Sequence, residues 1–177
     1  MKRIVFFFFI TLLLSTCSEV EFLNGVPIRQ YASVVLDFSS QLGATNYSAN
    51  KVISSENVYP NYGANINSWS PFLADGQREY LVVGFDTLQT IHTIEIYETF
   101  NPGAIDTIYV RNESTQKLEI VYSKPAQTDL ADEARIFTVY IRETSYLVDA
   151  IRIAMNSEAV EGRNEIDAIA IGGQRKK

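Results

Sequence analysis

Hydrophobic and polar residues alternate with a period of two in several short runs of this chain. His92, Ile94 and Ile96 oppose Thr93, Glu95 and Tyr97; Leu118, Ile120 and Tyr122 oppose Glu119 and Val121; Leu147, Ile151 and Ile153 oppose Val148 and Arg152. Successive side chains of a strand point to opposite faces, so this alternation predicts a sheet with one buried face. Strands are expected at 31–38, 79–85, 90–97, 104–111, 117–122, 134–142, 146–155 and 165–171. Turn chemistry separates them, as in Asn101-Pro102-Gly103, Asn112-Glu113-Ser114, Lys124-Pro125 and Glu161-Gly162-Arg163-Asn164. Eight strands with no long amphipathic helix predict an all-β fold, an antiparallel eight-stranded jelly-roll sandwich.

Residues 42–78 break the rhythm. They hold Asn46, Asn50, Asn57, Asn61, Asn65 and Asn67 together with Tyr47, Tyr59, Tyr62 and Trp69, and show almost no periodicity. A connection this long in a compact domain is usually functional or disordered, and its aromatics and lack of charge runs argue for order. It is expected to lie over one end of the sandwich, with one short helical turn within 48–54.

The amino terminus has a different pattern. Met1, Lys2 and Arg3 are followed by ten apolar residues in the eleven from Ile4 to Leu14, including the run Phe6 to Phe9. This is a signal-peptide pattern, too short for a membrane-spanning helix of about 20 residues. Leu14-Ser15-Thr16-Cys17 resembles the bacterial lipobox, which implies lipidation at Cys17 and membrane attachment through it. Ser18, Glu19 and Glu21 then resemble the surface-export signal of Bacteroidetes lipoproteins. The expected organisation is a signal peptide at 1–16, an anchor and linker at 17–30, the sandwich at 31–173 and a basic tail at 174–177. The expected location is the bacterial cell envelope, as an outer-membrane lipoprotein.

Composition narrows the function. The 177 residues suit one domain. A net charge of -6 and a pI near 4.8 leave no basic surface for DNA or RNA, so no nucleic-acid partner is expected. Without residues 1–16 the balance is 13 basic to 21 acidic groups, a charge of -8. One His and one Cys make disulfides, most zinc sites and a Ser-His-Asp triad hard to build. His92 falls in phase with Ile94 and Ile96 and is expected to face the core or the sheet edge. No phosphate-binding glycine loop is present. No catalytic residue is assigned, and the chain reads as a non-enzyme.

Four stretches follow in an informative order: Tyr59-Pro60-Asn61-Tyr62-Gly63; Trp69-Ser70-Pro71; Tyr80-Leu81-Val82-Val83-Gly84-Phe85; and Ile94-Glu95-Ile96-Tyr97-Glu98-Thr99-Phe100-Asn101-Pro102-Gly103-Ala104. With the closing Ile151-Arg152-Ile153 and Ile166-Asp167-Ala168-Ile169, they resemble a galactose-binding-like (discoidin-like) β-sandwich. The branch is that of pappalysin-type proteins, an F-box/leucine-rich-repeat protein and bacterial outer-membrane lipoproteins. The resemblance implies a structural calcium between the first long loop and the last strand, with Glu56, Asn57 and Asp167 as ligands.

Sugar rings stack their C–H faces on aromatic planes while amides and carboxylates bond their hydroxyls. Tyr59, Tyr62, Trp69, Glu98 and Asn101 are therefore the candidate ligand-binding residues. Trp69 is equally suited to core packing. Glu98, just before the Asn101-Pro102-Gly103 turn, is equally suited to accepting backbone N–H bonds there. Two functions remain: capture of a glycan or other extracytoplasmic ligand, or an assembly role in which the sandwich docks onto another envelope protein.

Overall fold

The alternating segments form eight strands in a computed structural model whose described residues are 25–175. They are β1 (Val26–Tyr31), β2 (Val34–Phe38), β3 (Arg78–Phe100), β4 (Ile105–Asn112), β5 (Leu118–Ser123), β6 (Arg135–Tyr140), β7 (Val148–Asn156) and β8 (Glu165–Arg175). The expected signal peptide, Cys17 and the last two lysines lie outside the described residues. All pairings are antiparallel. One layer runs β1–β8–β3–β6 and the other β2–β3–β7–β4–β5. Because β3 serves both layers, the eight strands make one continuous sheet folded onto itself and not closed.

The strand count matches the sequence expectation, but two divisions differ. The segments expected at 79–85 and 90–97 are a single strand of 23 residues, β3. Its Arg78–Gly84 part pairs with β7, and its register shifts before Gln89, where the chain passes into the other layer. At the crossover the Gln30 amide substitutes for a strand partner. It donates to the Thr87 carbonyl at 2.6 Å and accepts the Thr87 N–H at 3.1 Å. The segment expected at 31–38 is two strands, since Ala32 bonds Ile169 of one layer and Ser33 bonds Gly84 of the other.

The sandwich also begins earlier and ends later than the boundaries at 31 and 173. Val26 pairs with Arg175 and Pro27 with Gln174, so part of the expected linker and part of the expected tail form ladder.

The inward side chains are those the alternation selects. Leu81, Ile94, Ile96, Ile108, Ile151, Ile153 and Ile169 are buried to within 1% of full occlusion. Each such side chain contributes roughly 1.5–3 kcal/mol relative to exposure. Leu118 and Ile120 of β5 depart from this, 42% and 61% exposed with Val121 packed inward instead, and His92 is a second departure. Ile91 pairs with Gly173 and Thr93 with Gly172, so His92 is an extra, bulged residue. The bulge breaks the phase with Ile94 and Ile96 and leaves His92 exposed, not facing the core.

Candidate functional site

Residues 39–77 lack periodicity because side chains, more than a ladder, hold them. On β8, Tyr97 pairs with Ala168 and Glu98 with Ile166, which leaves Asp167 as a bulge residue. Its carboxylate, wholly buried, turns toward the loop and accepts the N–H groups of Asn57 (3.1 Å), Val58 (3.0 Å) and Tyr59 (2.9 Å) on Oδ2. A second tie is Ser40, whose carbonyl accepts Trp69 Nε1–H at 3.0 Å and whose hydroxyl donates to the buried Glu79 at 2.8 Å. Trp69 and Ile166 exchange backbone bonds of 2.8 and 3.1 Å. The expected helical turn is a 3₁₀ turn, Ala49–Val52.

Two expected ligand-binding residues are inside the protein. Trp69 is 0% exposed and packs in the core, so its ring offers no face to a sugar. Glu98 is 2% exposed, accepts Gly103 N–H at 2.8 Å and pairs with Arg135 Nε at 2.6 Å. Burial pushes its carboxyl up, while Arg135 and the Gly103 N–H pull it back. Glu98 is therefore the acceptor that closes the Asn101-Pro102-Gly103 turn, in which Gly103 takes the positive φ of 115° that the turn requires.

Of the three residues expected at a calcium site, Asn57 and Asp167 meet, through the Asn57 backbone N–H, while the Glu56 carboxylate bonds elsewhere. Calcium takes six to eight oxygen ligands. Asn57 gives Asp167 a backbone N–H, and two more N–H dipoles point at the same oxygen, where a cation would meet their positive ends. Glu56 is engaged by the Tyr31 hydroxyl at 2.5 Å, which holds its carboxyl below the ordinary range. Among the described residues no cluster of three His, Cys, Asp or Glu side chains is placed for a metal. These three residues do not fit the ion.

The remaining candidates separate into two groups. Tyr59 packs edge-on against Tyr97, ring centroids 5.4 Å apart, beside Tyr31 and the Arg29–Glu95 ion pair of 2.6 Å. Arg29 and Glu95 reach toward each other over β8, whose small Ala170 lies between their strands.

Tyr62 and Asn101 meet at the loop end of the sandwich. The half-buried Tyr62 ring lies 5.5 Å from that of Phe100, and its hydroxyl is 3.3 Å from both Asn101 Oδ1 and Asp132 Oδ1. Burial and the Asp132 charge raise the Tyr62 hydroxyl above the usual tyrosine value. Asn101 is fixed from behind, its Nδ2 donating to the Arg163 carbonyl at 3.1 Å and its carbonyl accepting Asn164 Nδ2 at 2.7 Å. Arg163 in turn donates to the carbonyls of Pro71 and Phe72 at 2.8 Å each.

Sequence reasoning missed Asp132, Arg163, Asn164 and Glu165 in this end. The first lies in a polar linker and the others in or beside a segment recognised only as a turn. Glu165 is 1% exposed, its Oε2 accepts Asn65 N–H at 2.9 Å, and its Oε1 has no partner, as is also true of Asn164 Oδ1. Burial pushes the Glu165 carboxyl up to about 7.

A family model described as pappalysin-1, SD scarf domain, C-terminal, matches residues 21–177. The F-box/LRR-repeat protein 4 of Bos taurus is 25% identical over 184 residues, an alignment covering 86% of this chain and 30% of that protein. The chain therefore spans under a third of the length of that curated relative. Among solved structures, a V110M mutant of chitosan-binding module 1 from a Paenibacillus sp. IK-5 chitosanase/glucanase superposes with a TM-score of 0.58 at 14% identity, over 85% of this chain and 96% of that one. The C-terminal domain of a Bacteroides fragilis chitobiase gives 0.61 at 12% identity, over 81% and 95%. At these identities the two structures show a shared galactose-binding-like sandwich fold.

Proposed function

This chain belongs to the pappalysin-1 SD scarf domain family, and on that premise we propose that it is a non-catalytic, glycan-binding β-sandwich whose ligand site is the Tyr62–Asn101–Asp132 end. The observation that carries this reading is the Tyr62 hydroxyl. One hydroxyl hydrogen faces two acceptors at 3.3 Å each, so one of the two oxygens is always unengaged and available to a sugar hydroxyl. The ring supplies the apolar face for sugar C–H groups, and Phe100 and the Asn164–Asn101 bond hold the geometry in advance of binding. The chitosan-binding module among the structural neighbours supports the ligand class. Asp132 is exposed, as is Asp75, which accepts Gly162 N–H at 2.9 Å beside Asn101. An acidic rim of this kind favours amine-bearing glycans over sulfated or uronate-rich ones.

The reading includes the anchor. Lipid on Cys17 would hold the acidic domain at an outer membrane without lipid head-group contact, each buried acyl methylene contributing about 0.8 kcal/mol. A glycan array probed with the chain is expected to light up glucosamine-containing spots and to lose them with Tyr62→Ala. A blank array with folded protein would refute the glycan assignment. Incorporation of a labelled fatty acid, abolished by Cys17→Ser, tests the anchor separately.

A further inference from the structure

We propose that the outer face of the β2–β3–β7–β4–β5 layer is a protein-docking face, and that its occupant presents a carboxylate set among aliphatic side chains to Arg152. One row of directly opposed residues crosses all five strands on this face: Asp37, Val82, Arg152, Tyr109 and Ile120. At its centre the Arg152 guanidinium carbon lies 4.2 Å from the Tyr80 ring centroid and 5.8 Å from that of Tyr109. Stacking between aromatic faces fixes a planar guanidinium while leaving its in-plane N–H donors free to meet a carboxylate side by side.

The charge on this face is unbalanced at one point. Arg78 Nη2 donates to both Asp106 oxygens at 2.7 Å, and Arg111 is bidentate to Asp149 through Nε and Nη2 at 2.8 and 3.0 Å. The Asp37 carboxylate receives the Tyr80 hydroxyl at 3.1 Å. Among the described residues no carboxylate pairs with Arg152, and its Nε is buried without a partner. Nε is closed to an incoming group, so the donors a docking carboxylate would meet are the terminal Nη1 and Nη2, which also have no partner among the described residues.

The surroundings specify the rest of the occupant. Val34 and Leu36 are 43% and 45% exposed at the β2 edge, and Leu118 and Ile120 are 42% and 61% exposed at the β5 edge. A Cβ at Gly84 would meet Val34 Cγ1 at 2.8 Å and Leu36 Cδ1 at 3.3 Å, which places both side chains on this face. The strands of the layer carry Arg and Tyr, which interface cores favour, and no lysine, which they disfavour. A sugar would leave both aliphatic edges unmatched. A second copy docked about a twofold axis through the centre of the row would bring Arg152 against Arg152. An acidic-aliphatic protein segment satisfies the cation and both edges together. The row shares no residue with the Tyr62–Asn101–Asp132 end and does not rest on the glycan reading.

Selection of random dodecapeptides on the full chain tests this assignment. Enriched peptides are expected to carry Asp or Glu flanked by Leu, Ile or Val. Their affinity is expected to fall about tenfold or more with Arg152→Ala or Ile120→Asp and to stay unchanged with Tyr140→Ala on the opposite layer. Arg152→Lys keeps the charge but not the fork, and is expected to fall between. Melting curves establish that each variant is folded; Ile120 is exposed, so its variant keeps the test open if Arg152→Ala unfolds. The proposal is overturned by a selection that enriches no acidic-aliphatic peptide, by peptides that bind the Arg152 and Ile120 variants undiminished, or by a dimer of the chain that Ile120→Asp dissociates.

Discussion

Asp167 on the last strand accepts the backbone N–H of Tyr59, 108 positions earlier in the chain, at 2.9 Å. The same oxygen serves Val58 and Asn57, so one buried carboxylate closes the base of the long loop. Asp167→Ala would leave several buried N–H groups without an acceptor, at about 1–3 kcal/mol for each group that stays dry. A total near 3 kcal/mol is expected in urea denaturation. Asp167→Asn keeps one acceptor and is expected to cost about half as much. Removing calcium with a chelator and restoring it is expected to leave the melting temperature unchanged, because the N–H groups already occupy the carboxylate.

The ion pair behind the Asn101-Pro102-Gly103 turn is asymmetric. The Glu98 side chain is 3% exposed and that of Arg135 is 22% exposed, and Arg135 also donates to Gln127 at 2.8 Å. Arg135→Ala strands a buried carboxylate and is expected to cost about 3–5 kcal/mol. Glu98→Gln leaves Arg135 with Gln127 and solvent, and keeps an acceptor for Gly103 N–H. It is expected to cost clearly less, and equal losses from the two variants in thermal unfolding would contradict the asymmetry.

Glu165 gives stability a pH dependence of definite sign. Burial raises its carboxyl from 4.5 to about 7, with the Asn65 N–H and Arg163 opposing the shift. Between those values the folded protein holds a proton that the unfolded chain has released. The associated stability is complete below 4.5 and is lost as pH rises through 7, with a slope of at most about 1.4 kcal/mol per pH unit. Glu98 is shifted in the same direction. The urea midpoint is therefore expected to fall as pH rises through this window, and Glu165→Gln is expected to flatten the fall. A midpoint that rises over the same range would show that the Glu165 carboxylate has found a compensating partner.

How far the sequence revealed this molecule depends on whether a residue's neighbours are local or distant. Period-two alternation found the inward Ile94 and Ile96 of β3 and Ile151 and Ile153 of β7 because each of these side chains answers only to its own strand, but it misphased β5, whose Leu118 and Ile120 face outward. It split β3 over 86–89, since no local pattern shows that Gln30 covers the Thr87 backbone. His92 was misphased for a related reason: a bulge is a property of two strands in register, not of one strand alone. In the candidate site, Tyr62 and Asn101 were legible from residue type and turn context. Asp132 was not, because its value comes from a hydroxyl 70 positions away. Trp69 was a plausible platform in sequence and a core residue in space, and only the Ser40 carbonyl and the Ile166 bridge distinguish the two.

Adjacent glycines at the end of β8 make the strictest test of the crossover geometry. A Cβ on Gly172 would lie 3.5 Å from Thr93 Cβ, an ordinary contact, whereas one on Gly173 would lie 1.7 Å from the Thr90 carbonyl oxygen and 2.8 Å from Ile91 Cα. The close approach arises where β3 enters its second layer and Gly173 pairs with Ile91 just before the His92 bulge. Backbone, not a flexible side chain, blocks the space, so no rotamer change can relieve the clash. Gly172→Ala is expected to change stability by less than about 1 kcal/mol, with some gain from the less flexible unfolded chain. Gly173→Ala must separate β8 from β3 at the point where the two layers join. It is expected to cost more than about 4 kcal/mol, which for a domain of marginal stability means little folded protein at all. Circular dichroism of the two variants side by side is decisive: if Gly173→Ala folds as well as Gly172→Ala, the path of β3 between the layers is not the one described.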